Sequence, residues 1–333
     1  MEGQRRKGKF FWKIFPGVMI LLTILENPCI GAEDPAKFPS RPIEYIVNSD
    51  PGGKADLTSR KIAELAGKIL GQPIVVTNKS GGGGVIGINA VVKASPDGYT
   101  IGTVVYSPTT IIPHLRPVPY NTKEDFTFVV QYGEYIYVFG VLADSPWKTF
   151  KEFVGEARKN PGKLKYSSPF PLGGQHIFME QVFKLEKAKV IYIPVKGGTI
   201  EATRMLLGGH LDGALTADLI AHLKEGKVRG LATQNEKRIP LIPEVPTFLE
   251  LGYEKLESPL WVGICAPKGL DPRILKKLED AFKRAYEHPS FQELLVTLNL
   301  APVFRGSESF RALVLKDFDA QGRILRELGL VKN

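Results

Sequence analysis

The feature that most constrains this chain is a regular alternation of two hydrophobic periods. Residues 43–48, 74–77 and 99–106 are short runs rich in β-branched and aromatic side chains, whereas 57–70 and 85–94 carry apolar residues at helical spacing. Leu57, Ile62, Leu65, Ala66, Ile69 and Leu70 share one helical face, and Gly71 follows where a left-handed C-cap ends a helix. Ser95-Pro96-Asp97-Gly98 then reads as a turn, with proline presetting one dihedral and glycine tolerating a positive φ. A strand–helix–strand alternation of this kind predicts the α/β class with a largely parallel sheet.

A second series follows Asp144-Ser145-Pro146. It has helix-like segments at 150–159, 176–186 and 199–207 and strand-like ones at 165–167, 190–194 and 211–216. Each series places two glycine-rich loops after strands: Gly52-Gly53 and 81–84 in the first, Gly173-Gly174 and Gly197-Gly198 in the second. Extended segments at 135–143 and 257–266 read as crossings, so the chain is expected to form a two-lobed α/β protein. Lobe 1 would comprise 33–139 plus 258–333, lobe 2 would comprise 140–257, and the two crossings would form the hinge. A length of 333 residues with 43% hydrophobic content accommodates two such cores and excludes a disordered chain.

The N-terminus has the layout of a secretory signal peptide over 1–32. Arg5, Arg6, Lys7, Lys9 and Lys13 precede a twelve-residue apolar run, followed by small residues ending at Ala32. That run contains Pro16 and Gly17 and falls short of the roughly 20 residues that span a bilayer. Cleavage after Ala32 would remove five Lys/Arg and two Asp/Glu from a chain of net charge +9, leaving +6. The remaining charges are scattered over helix faces rather than clustered among aromatics, which argues against nucleic acid as a partner. Cys265 alone would remain, so no internal disulfide can form, and its apolar surroundings read as a buried thiol.

In open α/β sheets ligands bind beyond the carboxyl ends of strands, where loops meet helix N-termini. The loops that qualify are Ser49-Asp50-Pro51-Gly52-Gly53-Lys54-Ala55-Asp56, 78–84, Ser107-Pro108-Thr109-Thr110, 167–175, 195–199 and Thr216-Ala217-Asp218. Glycines let backbone amides approach an anion, and unpaired helix-start amides favour one. Ser107, Thr109, Ser168 and Thr216 add hydroxyls, and Lys196 adds a cation. Gly82, Gly84 and Gly87 have dinucleotide-motif spacing, but the next strand, ending at Tyr106-Ser107, supplies no acidic residue for a ribose. No cofactor is implied, and no H-E-x-x-H or G-x-S-x-G motif occurs. His176 and Glu180 are spaced to share a metal, yet without further ligands His176 is expected instead to meet a ligand or pack against the cleft.

A collinear series of motifs resembles the substrate-binding proteins of tripartite tricarboxylate transporters, the Bug receptors. They are Phe38-Pro39-Ser40-Arg41-Pro42, Asp50-Pro51-Gly52-Gly53 with Asp56, Leu70-Gly71-Gln72-Pro73, Ser95-Pro96-Asp97-Gly98-Tyr99, Asn160-Pro161-Gly162, Lys196-Gly197-Gly198, Gly208-Gly209-His210 and Pro243-Glu244-Val245-Pro246-Thr247. The resemblance implies a periplasmic two-lobed receptor, not an enzyme. It would close on a small carboxylated ligand (a di- or tricarboxylate, an aromatic acid or an amino acid) and deliver it to inner-membrane permease subunits. By analogy the cleft would be lined by Ser49, Asp50, Gly52, Gly53, Asp56, Ser107, Thr109, Ser168, His176, Lys196, Gly197, Gly198, Thr216 and Asp218. A monomer is the simpler expectation. Two departures concern the ligand: Asn48-Ser49-Asp50 stands where the family has an apolar or aromatic lead, and Val195 where tyrosine commonly precedes Lys-Gly. Asp50, or Glu134 near the hinge, would repel a bare carboxylate or pair with an amino group if it faced the cleft. The competing readings are an exported hydrolase built on Ser168, His176 and Asp218, and a sensory receptor.

Overall fold

The computed structural model describes residues 34–196, 198–253, 256 and 260–331. The signal segment lies outside them. Eleven named strands form two sheets. The first contains β1 (Ile43–Val47), β2 (Ile74–Asn78), β3 (Thr100–Val105), β4 (Phe126–Tyr135), β10 (Trp261–Pro267) and β11 (Leu300–Ala301), in the spatial order β11-β4-β10-β3-β1-β2. The second contains β5 (Val138–Leu142), β6 (Lys165–Ser167), β7 (Ile191–Tyr192), β8 (Gly213–Thr216) and β9 (Val228–Thr233), in the order β7-β6-β8-β5-β9.

Both sheets are mixed, where the sequence predicts largely parallel ones. β2, β1 and β3 run parallel, as do β7, β6 and β8, each set linked by helical crossovers. β10 pairs antiparallel with both β3 and β4, and β5 pairs antiparallel with both β8 and β9. The reason is topological. The chain leaves the first sheet by β4, enters the second by β5, and returns from β9 to β10; the strand entered at each crossing, β5 or β10, runs against the crossover strands, while β4 and β9 run with them. The outward crossing is short, since β4 ends at Tyr135 and β5 begins at Val138.

Helices cover both faces of the first sheet. On one face Ile62, Leu65 and Ala66 of α1 (Lys54–Leu70) and Leu278 and Phe282 of the ninth helix (Pro272–Tyr286) pack with Tyr45, Ile101, Val130 and Ile264. Gly71 caps α1 at φ 74°, as its spacing predicts. On the other face Ile88 and Val91 of α2 (Val85–Val92) and Phe310 and Val314 of the last helix (Ser307–Glu327) pack with Val104, Phe128, Trp261 and Cys265. Trp261 is wholly buried edge-on to Tyr106 and Phe310, and its Nε1 donates to Asp317 Oδ2 at 2.8 Å. Burial pushes the Cys265 thiol up, so it stays protonated and inert.

This apolar cluster continues into the second sheet through Phe139, Phe150, Phe153, Tyr166 and Phe183. Phe139 meets Phe150 and Phe153 edge-on at 5.3 and 5.1 Å, an arrangement that suits the ring quadrupoles. Lys184 Nζ, on the helix Gly174–Leu185, donates to the Glu327 carbonyl at the end of the last helix, which ties the two sides together. No helix among the described residues is long and apolar enough to cross a membrane.

Candidate functional site

The carboxyl ends of β1 and β3 on one side, and of β6 and β8 on the other, lead into the loops that the sequence singles out. In the β1–α1 loop Gly52 has φ +82°, and its amide donates to Asp56 Oδ2 at 2.9 Å. Asp56 is buried and also accepts from Arg60 Nε at 3.1 Å and from Asn78 Nδ2 at 2.8 Å. The same Asn78 amide donates to the Ser49 carbonyl. Burial alone would raise the Asp56 carboxyl, but these hydrogen bonds outweigh it and hold the group below the usual range. Its side chain is thus a brace for the loop, not a free ligand contact. Asp56→Ala is expected to cost about 2–3 kcal/mol of stability, seen in chemical denaturation, because it leaves several donors unpaired. A group with a depressed folded pKa stabilises above its unfolded pKa, so this deficit should shrink as pH falls through the folded one.

Several other side chains on the expected list are also committed internally. Thr109 donates to the Val105 carbonyl at 2.8 Å, and the Thr216 hydroxyl meets Thr203 Oγ1 at 2.8 Å and accepts from the Asp218 amide at 3.1 Å. His176 Nδ1 accepts from the Leu172 amide at 2.9 Å, its ring stacks on Tyr192 at 3.7 Å, and Nε2 faces Glu180 at 3.6 Å. It packs, and holds Leu172 at φ 57°. Asp50 and Lys196 are exposed, and the Lys196 amide donates to Glu201. Gly197 lies outside the described residues. Gly198 has φ +63°, with open space that ends at the Phe170 ring. Glu134 is buried and paired with Arg305.

What the loops leave open is more telling than what they bind. Asn48 Nδ2, Ser49 Oγ, Lys54 Nζ and Ser168 Oγ are all buried, and among the described residues none has a hydrogen-bond partner. Asn48 and Ser49 belong to the β1–α1 loop, Lys54 opens α1, and Ser168 follows β6 in the second sheet. Buried polar atoms are normally paired, so unpaired donors on facing loops mark where a partner fits. Two long helices, α1 and the helix Gly174–Leu185, also begin there without a side-chain cap. The loops touch across the seam: the Gly174 amide donates to Ser107 Oγ at 3.4 Å, and a Cβ at Gly174 would lie 2.6 Å from Leu260 Cδ2 and 3.3 Å from the Tyr106 ring.

The glycines with dinucleotide spacing serve this packing. Gly81, Gly82, Gly83 and Gly84 all have positive φ, and a Cβ on Gly87 would lie 2.7 Å from Asn48 Cα. They press the α2 turn against the Asn48 backbone, and Gly84 lies beside the Asn48 amide nitrogen.

Sequence reasoning misses Asn48 and Lys54 as site residues. A signal for Lys54 was present, since a lysine directly after Gly-Gly at a helix start opposes the helix dipole. Tyr137, whose hydroxyl lies near Gln175, is the other addition. Burial pushes the Tyr137 hydroxyl up, so it remains a neutral hydroxyl beside Asp218.

Two mixed sheets with facing, glycine-rich ligand loops define a two-lobed solute-binding receptor. Residues 58–330 match the model of the tripartite tricarboxylate transporter family receptor, and the chain belongs to that family. It is 36% identical over 297 residues to a "UPF0065 protein in gbd 5'region" of Cupriavidus necator, covering 89% of this chain and 90% of the relative. It is similar to the solved structure of a TctC solute binding protein from Polaromonas, with 28% identity, TM-score 0.78, and coverage of 87% and 99%. It is also similar to MatC from Rhodopseudomonas palustris with bound malate, with 26% identity, TM-score 0.70, and coverage of 86% and 100%.

Proposed function

We propose that this protein is a periplasmic receptor that captures a small carboxylate between its two sheets, closes on it, and presents the closed form to the membrane subunits of a tripartite tricarboxylate transporter. The observation that carries this reading is the set of unpaired buried donors contributed by loops of both sheets. Two amide or ammonium nitrogens, two hydroxyls and two uncapped helix starts suit carboxylate oxygens, which only accept hydrogen bonds. The malate held by MatC is a ligand of this class. The hinge would lie at residues 136–137, where β4 passes into β5, and along the return from β9 to β10.

A thermal-shift screen of the chain without residues 1–32, against dicarboxylates, tricarboxylates, aromatic acids and amino acids, tests this. A ligand at 100 times its Kd should stabilise the fold by about 2.7 kcal/mol, and small-angle scattering should show compaction. No shift with any carboxylate overturns the reading. Gly53→Asp should abolish binding while leaving the fold intact, because Gly53 has an ordinary φ of −74° and a Cβ would meet the Asp50 carbonyl oxygen at an ordinary 3.6 Å. The hydrolase alternative gains no support, because Ser168 Oγ has no partner among the described residues and both His176 nitrogens face other groups.

A further inference from the structure

Lys54 is the least expected cation in the fold. It is the first residue of α1, where the helix dipole disfavours positive charge, and its ammonium nitrogen is buried with no hydrogen-bond partner among the described residues. Burial lowers its pKa, and Asp218 acts in the opposite direction. Asp218 follows β8 in the other sheet, and its carboxylate does not cap the helix that it precedes. The two opposite charges thus stand on strand ends of different sheets, and the Lys54 ammonium has no hydrogen-bond partner among the described residues. Independent pointers to a ligand lie on the same strand ends, Asn48 after β1 and Ser168 after β6, which pairs with β8: Ser168, with none of its surface exposed, and Asn48, 5% exposed, each keep an unpaired polar atom.

We propose that Lys54 and Asp218 form a specificity-determining pair that selects a carboxylate bearing a hydrogen-bond donor, either hydroxyl or ammonium, next to or near the acid group. This rests on the carboxylate-receptor reading above and names the ligand's charge pattern. The Lys54 ammonium, with the Asn48 amide, takes the carboxylate oxygens. Asp218 accepts from the donor and repels a plain carboxylate that has nothing to offer it. A site built to accept from a donor rejects the analogue lacking it, because its own buried group is then left unpaired.

Three acid series that differ only by hydrogen, hydroxyl or ammonium at one carbon test the proposal by calorimetry: propionate, lactate and alanine; succinate, malate and aspartate; phenylpropionate, phenyllactate and phenylalanine. In the series that binds, at least one donor-bearing member should bind 10-fold or more tightly than the unsubstituted acid. Asp218→Asn should bring their affinities to within a few-fold, and Lys54→Met should weaken every binder by 30-fold or more. The melting temperature of unliganded Lys54→Met should equal or exceed that of the parent, since a buried unpaired ammonium is removed, and this separates lost contact from lost fold. Equal affinity for the substituted and unsubstituted acids, or an unchanged ratio in Asp218→Asn, overturns the pair's role while leaving the receptor reading intact. Binding of none of the nine acids overturns the pair's role, and the receptor reading then falls only if the wider carboxylate screen is also silent.

Discussion

Replacing Gly174 with leucine is expected to lower affinity for any ligand of the cleft more than 100-fold while the protein keeps its fold. Gly174 opens the helix Gly174–Leu185, and its backbone amide reaches Ser107 Oγ across the seam. Its φ is not positive, so a side chain brings no backbone strain. The difficulty is space. A Cβ would stand 2.6 Å from Leu260 Cδ2, a distance that rotation of a flexible leucine relieves, with the Tyr106 ring at 3.3 Å. Leucine adds three more carbons to that seam, and the least costly relief is for the loops to separate. Separation removes the contacts from one whole side of the ligand, and at 1.4 kcal/mol per tenfold, 100-fold corresponds to about 2.8 kcal/mol. Small-angle scattering should show an extended molecule that ligand no longer compacts. Gly155→Ala, on an open face of the helix Phe150–Lys159, is the control and should bind normally. Normal affinity in Gly174→Leu would mean that this seam does not close on the ligand.

The expectation of separation rather than unfolding follows from how the core is divided. The face of the first sheet against α1 and the helix Pro272–Tyr286 is a cluster of its own, and so is a cluster around Val138, Leu219 and Val228 in the second sheet. The two sides are joined by the apolar cluster running from Trp261 to Phe139 and by the polar contacts at the seam. Each sheet therefore retains a core when the seam opens, which is the property a closing receptor needs.

Much of this fold is legible in the sequence where local signals and tertiary context agree. The helix Phe150–Lys159 and the strand Lys165–Ser167 begin and end where the sequence reading places them. β4 is harder to read. It carries Gln131 and Glu134 in a strand buried almost throughout, and those polar residues are tolerated only because Arg305, far along the chain, supplies their partners. The single turn Tyr106–Thr110 reads as a strand end followed by a loop, because five residues show no helical period. In the site, the glycine loops are legible because their geometry is local. The parts played by Asp56, Thr216 and His176 are not, since a side chain's hydrogen-bond partners depend on loops brought together by the sheet. Lys54 is legible only as an unusual cation at a helix start; that its ammonium is buried without a partner is seen only in the fold.

The same dependence on Arg305 sets the second large effect. Arg305→Met should destabilise the protein by about 3 kcal/mol at pH 8, lowering its melting temperature by several degrees, and by much less at pH 4. Arg305 Nη1 lies 3.0 Å from Glu134 Oε1 and 2.8 Å from Gln131 Oε1, and Nη2 lies 3.2 Å from Glu236 on the return path from β9. Glu134 is 2% exposed. Burial already raises its carboxyl above the usual range, Arg305 acts against that shift, and Glu236 adds to it. Without the guanidinium the folded pKa rises further. A carboxyl whose folded pKa is raised binds more protons in the folded state, so stability falls as pH climbs from the unfolded value, about 4.3, through the folded one. The deficit of the variant is therefore complete at alkaline pH and fades below the ordinary glutamate range. Adding Glu134→Gln to Arg305→Met removes the titrating charge and should flatten this pH dependence. A deficit that stays constant from pH 4 to pH 8 would show that Arg305 acts by packing alone. Since Arg305 also ties β4 to Glu236 beside the crossing, the double variant, stable across pH, would report whether that tie limits how far the two sheets swing apart.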